Sequence, residues 1–129
     1  MASKVLDIYA ERDLFTHAGK VGEHMQQRLR ECLDHPLVGE ARGVGLLGAV
    51  ELEADAVNAP PFAPKAGIGA FCAKRGEAHG VIARPLGDAI AFCPPLVITE
   101  EEIDQVFERF RLALDDTLAH ARAEGLTRA

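Results

Sequence analysis

Apolar positions recur along the chain with two different periods, and each change of period marks an element. Leu14, Ala18, Val21, Met25, Leu29 and Leu33 follow one another at steps of three and four, the stripe of an amphipathic helix. His35-Pro36 closes that segment, because the residue before a proline is pushed out of the helical region. The spacing predicts a helix over 14–34 with Asp13 as its N-cap. Upstream, residues 4–12 (KVLDIYAER) have helical composition. They form a separate helix or the first part of one broken helix.

From Leu46 the period is two. Leu46, Gly48, Val50 and Leu52 fall on one face and Leu47, Ala49, Glu51 and Glu53 on the other, the pattern of a half-buried strand. A shorter strand precedes it around Val38–Arg42. Residues 54–66 hold three prolines and an Asn and read as an exposed loop. Ile68, Phe71, Cys72 and Arg75 return to helical spacing over 67–79, and Gly80 stands where a helix-ending glycine belongs. Val81–Pro85 and Ala89–Cys93 are two short apolar runs joined by Leu86-Gly87-Asp88, a three-residue hairpin connection containing glycine. Pro94-Pro95 ends the second run, since proline cannot donate to a ladder. The last helix is the clearest. Thr99 and Glu102 make a capping box, and Glu100, Glu101 and Glu102 sit where the helix dipole favours negative charge. Ile103, Val106, Phe107, Phe110, Leu114, Thr117, Leu118 and Ala121 form a buried stripe that fades near 122–125.

Strands in sequential pairs with helices between them predict an α+β fold, a small, mainly antiparallel sheet with helices packed on one face. The 129 residues make one domain, 1–129, long enough for a real core and too short for most large enzyme folds. Apolar residues are 48% of the chain and charged residues 26%, a globular balance that excludes disorder. The net charge of −6 argues against nucleic acid as a partner, because a phosphate backbone demands clustered positive charge. No apolar run approaches a membrane span. The three cysteines, Cys32, Cys72 and Cys93, are odd in number and widely spaced. They read as reduced apolar residues of a cytoplasmic protein, with no disulfide framework or zinc site, and Met1-Ala2-Ser3-Lys4 lacks the apolar stretch of a signal peptide.

Candidate chemistry is sparse. Gly43-Val44-Gly45-Leu46-Leu47-Gly48 spells G-x-G-x-x-G. A dinucleotide turn needs a helix next, whose N-terminus meets the pyrophosphate, and here a strand follows, so the glycines serve a bend or a close backbone approach. The five histidines, His17, His24, His35, His79 and His120, show no metal-ligand grouping. Ser3 is the only serine, which leaves no serine triad. Cys72 and Cys93 each follow Ala-Phe, surroundings that raise a thiol pKa and disfavour a nucleophile. The only lysines, Lys4, Lys20, Lys65 and Lys74, lie in no buried-looking stretch, whereas a Schiff-base lysine needs a desolvated pocket. Arg84 remains. Its planar fork at the end of an apolar strand suits bidentate capture of a carboxylate, but a salt bridge to Asp88 or a solvated hairpin end explains it equally by spacing.

Three segments carry a resemblance: HPLVGEARGVGLLGAVEL from His35, GVIARPLGD from Gly80, and PPLVITEEEID from Pro94. In this order and spacing they resemble the C-terminal part of class III pyridoxal-phosphate-dependent aminotransferases, the omega-transaminase group, over nearly the whole chain. The resemblance implies the small C-terminal domain of a fold type I enzyme that moves an amino group between an amine or amino acid and a keto acid such as pyruvate. It implies pyridoxal 5′-phosphate as cofactor of the complete enzyme, held by a large domain that supplies the Schiff-base lysine, the aspartate at the pyridine nitrogen and the phosphate site. This chain is then expected to hold no catalytic or cofactor residue and to be inactive alone. Its partners would be that large domain and a second copy of the enzyme, in a homodimer. Arg84 resembles the mobile arginine that, in the amine:pyruvate branch, binds the substrate carboxylate and swings aside for apolar amines. In the acetylornithine-like branch a carboxylate arginine lies shortly before the Pro-Pro pair, and that place falls here on Ala91. The alternative is a free-standing module that binds a small carboxylate or docks on another protein.

Overall fold

The computed structural model describes residues 2–53, 62 and 66–126, and the proline-rich stretch expected to be a loop falls largely outside them. The chain is α+β. Two helices, α1 (Ala2–Glu11) and α2 (Leu14–Glu31), are followed by a single 3-10 turn over Cys32–Asp34. The hairpin β1 (Val38–Val44) and β2 (Leu47–Leu52) comes next, then α3 (Ile68–Ala78), the hairpin β3 (Arg84–Leu86) and β4 (Ala89–Phe92), and α4 (Glu100–Ala123). The strands form one sheet in the order β1-β2-β4-β3, every pair antiparallel.

One sheet face is covered. Val50, Leu52, Ile90 and Phe92 are buried there in one cluster with Met25 and Leu29 of α2, Ile68 and Cys72 of α3, and Phe107, Phe110 and Leu114 of α4. Phe92 packs against Phe107 and Phe110 at ring centroid separations of 5.2 and 4.9 Å. The alternation expected for β2 is met: Gly48, Val50 and Leu52 point inward, while Leu47 on the other face is exposed.

Helices α2 and α3 each approach a hairpin turn so closely that no side chain fits between. A Cβ on Gly22 of α2 would stand 2.7 Å from the Cα of Gly45 in the β1–β2 turn. One on Gly69 of α3 would overlap the carbonyl oxygen of Gly87 in the β3–β4 turn. Polar bonds seal both contacts: Gln26 donates from Nε2 to the Gly45 carbonyl at 2.8 Å, and the Gly69 N–H donates to Asp88 Oδ1 at 3.2 Å.

Several expected boundaries move. Asp13 stands at the N-cap of α2 but with φ 50° and no side-chain bond to the helix backbone. Its carboxylate instead accepts from the Thr16 hydroxyl at 2.9 Å. Leu33, placed on the buried stripe by its spacing, is 46% exposed, because the chain tightens at Cys32–Asp34 and turns Cys32 inward instead. β1 runs on to Val44, so the first turn is Gly45-Leu46 and β2 begins at Leu47. The second hairpin turns on two residues, Gly87-Asp88, since Leu86 pairs with Ala89. β3 begins only at Arg84 because Val81 is taken by the end of α3. Its N–H bonds to the Gly76 carbonyl at 2.9 Å while Gly80 bonds to Glu77, a Schellman closure of the helix. Pro85 is tolerated because β3 is an edge strand. The capping box on α4 is complete, with Thr99 and Glu102 bonding to each other's backbone N–H.

Three carboxylates of α4 tie it to the rest of the fold through histidines. Asp104 meets His24 of α2 at 2.6 Å, Asp115 meets His35 at 3.0 Å, and Asp116 meets His79 at 2.7 Å. His35 is 2% exposed. The Leu37 N–H points at its Nδ1 at 3.2 Å, so the proton sits on Nε2 and is donated to Asp115. Burial pushes the His35 pKa down, outweighing the pull of Asp115 upward. His79 first, then Arg75, hold the Asp116 carboxyl below its ordinary value.

Two outcomes follow for stability. Gly22→Ala destabilises the fold by about 1–3 kcal/mol, the cost of forcing a methyl into a filled contact. Gly19→Ala, one turn earlier with open space around it, stabilises by about 0.5–1 kcal/mol through helix propensity; urea unfolding of the two variants measures both signs. His35 stays neutral in the fold, so the stability it supports is present above about pH 6.5, the ordinary histidine value. It is lost as pH falls from there toward the depressed native value. The urea midpoint drops between pH 7.5 and pH 5.5, and His35→Asn flattens that drop. The Asp116 contribution has the other origin and is lost only below the carboxylate range, outside this window.

Candidate functional site

The face of the sheet turned away from the helices carries a groove of about 670 Å³. Its walls are Leu47, Ile82, Leu86 and Cys93, with Ala91 in its floor and Arg84 as its one charged side chain. Register explains the arrangement. Arg84 lies directly opposite Ala91, Ala91 opposite Ala49, and Ala49 opposite Arg42. Residues paired in this way point to the same side of a sheet, so a single row runs Arg42, Ala49, Ala91, Arg84 from one edge to the other.

The two arginines of this row differ. Arg42 holds Glu40 at 3.5 Å and Glu51 at 3.3 Å. Arg84 has no hydrogen bond or ion pair among the described residues, and it is exposed. The salt bridge to Asp88 that spacing allowed does not form, because Asp88 is committed to the Gly69 N–H on the other side of the turn. Apolar walls lower the local dielectric and strengthen any pair that a guanidinium makes with an anion. The groove is thus chemically suited to a small carboxylate with an apolar body. Sequence reasoning singled out Arg84 and did not find Leu47, Ile82 or Ala91 as its surroundings. Only the pairing register brings them together, and Ala91 gives no chemical signal of its own.

The other candidates resolve as structure. The G-x-G-x-x-G run spans the first hairpin: Gly43 is the last residue but one of β1, Gly45 turns with φ 58°, and a Cβ on Gly43 would stand 2.7 Å from Gly48 Cα. No helix follows it. His17 bonds to the Ile98 carbonyl at 2.8 Å and His120 stacks on Phe71 at 4.0 Å, while the other three histidines hold α4. Among the described residues no group of three His, Cys, Asp or Glu is placed to hold a metal. Burial pushes the Cys32 and Cys72 thiols up to about 11. Cys93 departs from the expectation drawn for both Ala-Phe-Cys runs: it is exposed at the groove, because β4 stops at Phe92 and the prolines carry the chain outward. Lys4, Lys20 and Lys74 are exposed, so none is the desolvated amine a Schiff base requires. Lys65 lies outside the described residues. No helix among the described residues is long and apolar enough to cross a membrane.

A second hollow of about 410 Å³ lies between α4 and the 92–98 segment, with Phe107, Ile103, Val81 and Pro95 in its walls and no charged side chain. It has nothing that would orient a polar substrate.

Comparison with known proteins places this geometry. The family model for class III aminotransferases matches residues 1–114. The chain is 38% identical over 117 residues to gamma aminobutyrate transaminase 3 of Solanum lycopersicum, covering 91% of this chain and 22% of that protein. It is 42% identical over 96 residues to the putrescine–pyruvate aminotransferase of Pseudomonas aeruginosa, covering 74% and 21%. Among solved structures, the omega transaminase from Pseudomonas jessenii in complex with PMP superposes with a TM-score of 0.81 at 46% identity, over 87% of this chain and 25% of that one. The chain therefore spans about a quarter or less of the length of these relatives. A match over so much of this sequence, with the fold to go with it, shows that the chain belongs to the class III aminotransferase family.

Proposed function

We propose that this chain is the small domain, residues 1–129, of a pyridoxal-phosphate-dependent transaminase that exchanges an amino group between an amine or amino acid and a keto acid such as pyruvate. In that enzyme Arg84 binds the substrate carboxylate. The observation that carries the reading is a guanidinium with no partner among the described residues, set in an apolar groove on a sheet face that no described helix or strand covers. Pyridoxal 5′-phosphate, the family's cofactor, supplies the electron sink for amino transfer when it is bound. The residues of this chain contribute binding and orientation. The apolar walls would exclude water from the guanidinium once the large domain closes over the groove, and the fork presents two parallel donors to the two carboxylate oxygens.

The same face supports a reading of the partners. Leu47, Ile82 and Leu86 are 57%, 86% and 52% exposed around Arg84, and α1 buries none of its residues. Apolar surface of this kind is what a protein leaves for a partner. The large domain of the enzyme would cover it, with a second copy of the enzyme completing a homodimer. Three free cysteines, two of them buried, are in keeping with a cytoplasmic setting.

The test is kinetic, in the complete transaminase. Losing a charge-assisted bidentate bond costs about 1.5–3 kcal/mol, so Arg84→Leu raises KM for pyruvate about 10- to 100-fold. KM for benzylamine, which has no carboxylate, changes less than about twofold. An unchanged pyruvate KM overturns the assignment.

A further inference from the structure

The sheet register gives the groove a second determinant. Arg84 sits on an edge strand, so its side chain has two directions open to it: outward past the sheet edge, or inward across the neighbouring strand. Inward, the residue directly opposite is Ala91. Facing Cβ atoms in an antiparallel pair are about 4.5–5.5 Å apart, within the span of an arginine side chain. Beyond Ala91 in the row is Ala49, and away from the β3–β4 turn the pocket is bounded by Leu47 and Cys93. The inward path therefore crosses a floor one methyl group high, between taller apolar walls.

We propose that Ala91 is the positioning residue for Arg84: its small side chain leaves the inward orientation open and so sets how well the enzyme binds a carboxylate substrate. This rests on the reading of Arg84 above. A residue with γ or δ carbons at 91 fills the space over β4 and leaves Arg84 only the outward direction, away from the groove. The effect reaches the substrate through the guanidinium alone. A substrate without a carboxylate has no use for the inward orientation and is indifferent to it. Arg42, at the far end of the row, does not replace Arg84, because Glu40 and Glu51 already hold it.

The experiment uses four variants of the complete, cofactor-loaded transaminase: Ala91→Val, Ala91→Leu, Arg84→Ala, and Arg84→Ala with Ala91→Leu. β-Branched and large apolar residues suit a strand, and the absorbance of the bound cofactor together with Tm confirms that each variant is folded and loaded. Ala91→Leu raises KM for pyruvate about tenfold and Ala91→Val less, and the rise for pyruvate exceeds that for benzylamine by at least about fivefold in Ala91→Leu and about twofold in Ala91→Val. In the Arg84→Ala background, Ala91→Leu raises KM for pyruvate no further, the non-additivity expected of two residues that act as one. Pyruvate KM values untouched by both Ala91 variants, or an Ala91→Leu effect of full size without Arg84, overturn the role of Ala91 while the Arg84→Ala result stands. An Arg84→Ala variant with normal pyruvate KM overturns the reading of Arg84 and the role of Ala91 with it.

Discussion

Helix backbone rests directly on turn backbone at two places, Gly22 on Gly45 and Gly69 on Gly87, and the rest of the structure depends on that contact being made without side chains. Interiors are packed too tightly for a methyl group to be absorbed at such a point. Each contact sets the distance between a helix and one end of a hairpin. The two hairpins meet along β2 and β4, so fixing both turns fixes how the sheet lies under α2 and α3. With that face covered, the opposite face is the one left open. The second contact also decides the electrostatics of the groove. To bring α3 onto the turn, Asp88 bonds to the Gly69 N–H, and the carboxylate of the same hairpin is thereby withdrawn from Arg84.

The long helix α4 stands on the far side of the core from the groove, and its polar attachments are of a different kind. Asp104, Asp115 and Asp116 reach His24, His35 and His79 on three separate segments. Only the His35 link is buried on the histidine side, and there the tautomer is dictated by the Leu37 N–H. A buried neutral imidazole with both nitrogens satisfied costs little at neutral pH, whereas a charged one must be desolvated. The loss of stability between pH 7.5 and pH 5.5 expected from His35 accordingly arises on the α4 side of the core, away from the groove.

Periodicity made most of this fold legible. The stripe from Leu14 to Leu29, the stripe from Ile103 to Ala121 and the alternation of Gly48, Val50 and Leu52 all point where they were expected to. The errors cluster at element ends, where local signals compete. Val81 is apolar and β-branched, but the Schellman bond to Gly76 holds it at the helix end. Leu33 has helical spacing, but the 3-10 turn rotates it outward. At the site, the resemblance supplied a role for Arg84 that spacing alone left undecided. Whether Arg84 is paired depends on what Asp88 does, and that is set by α3, nineteen residues from Asp88 at Gly69. That Ala91 faces Arg84 shows only once the cross-strand register is known.

Arg42 and Arg84 show what the groove asks for. They share one row of one sheet, each at an edge strand, in a chain with 20 acidic and 14 basic residues. In such a chain a surface arginine readily finds a carboxylate, and Arg42 finds two. Around Arg84 the positions that could have carried one are Leu47, Ile82, Leu86, Ala91 and Cys93. Stability does not call for this arrangement, since apolar side chains in water gain nothing by surrounding an exposed cation. An anion entering the groove would meet a donor fork with no competitor among the described residues and would shed water against the walls. That is the condition under which a guanidinium–carboxylate pair is strong. Among the described residues Arg84 has no acidic anchor, so its orientation is decided by sterics, and the residue directly opposite it across the hairpin is Ala91.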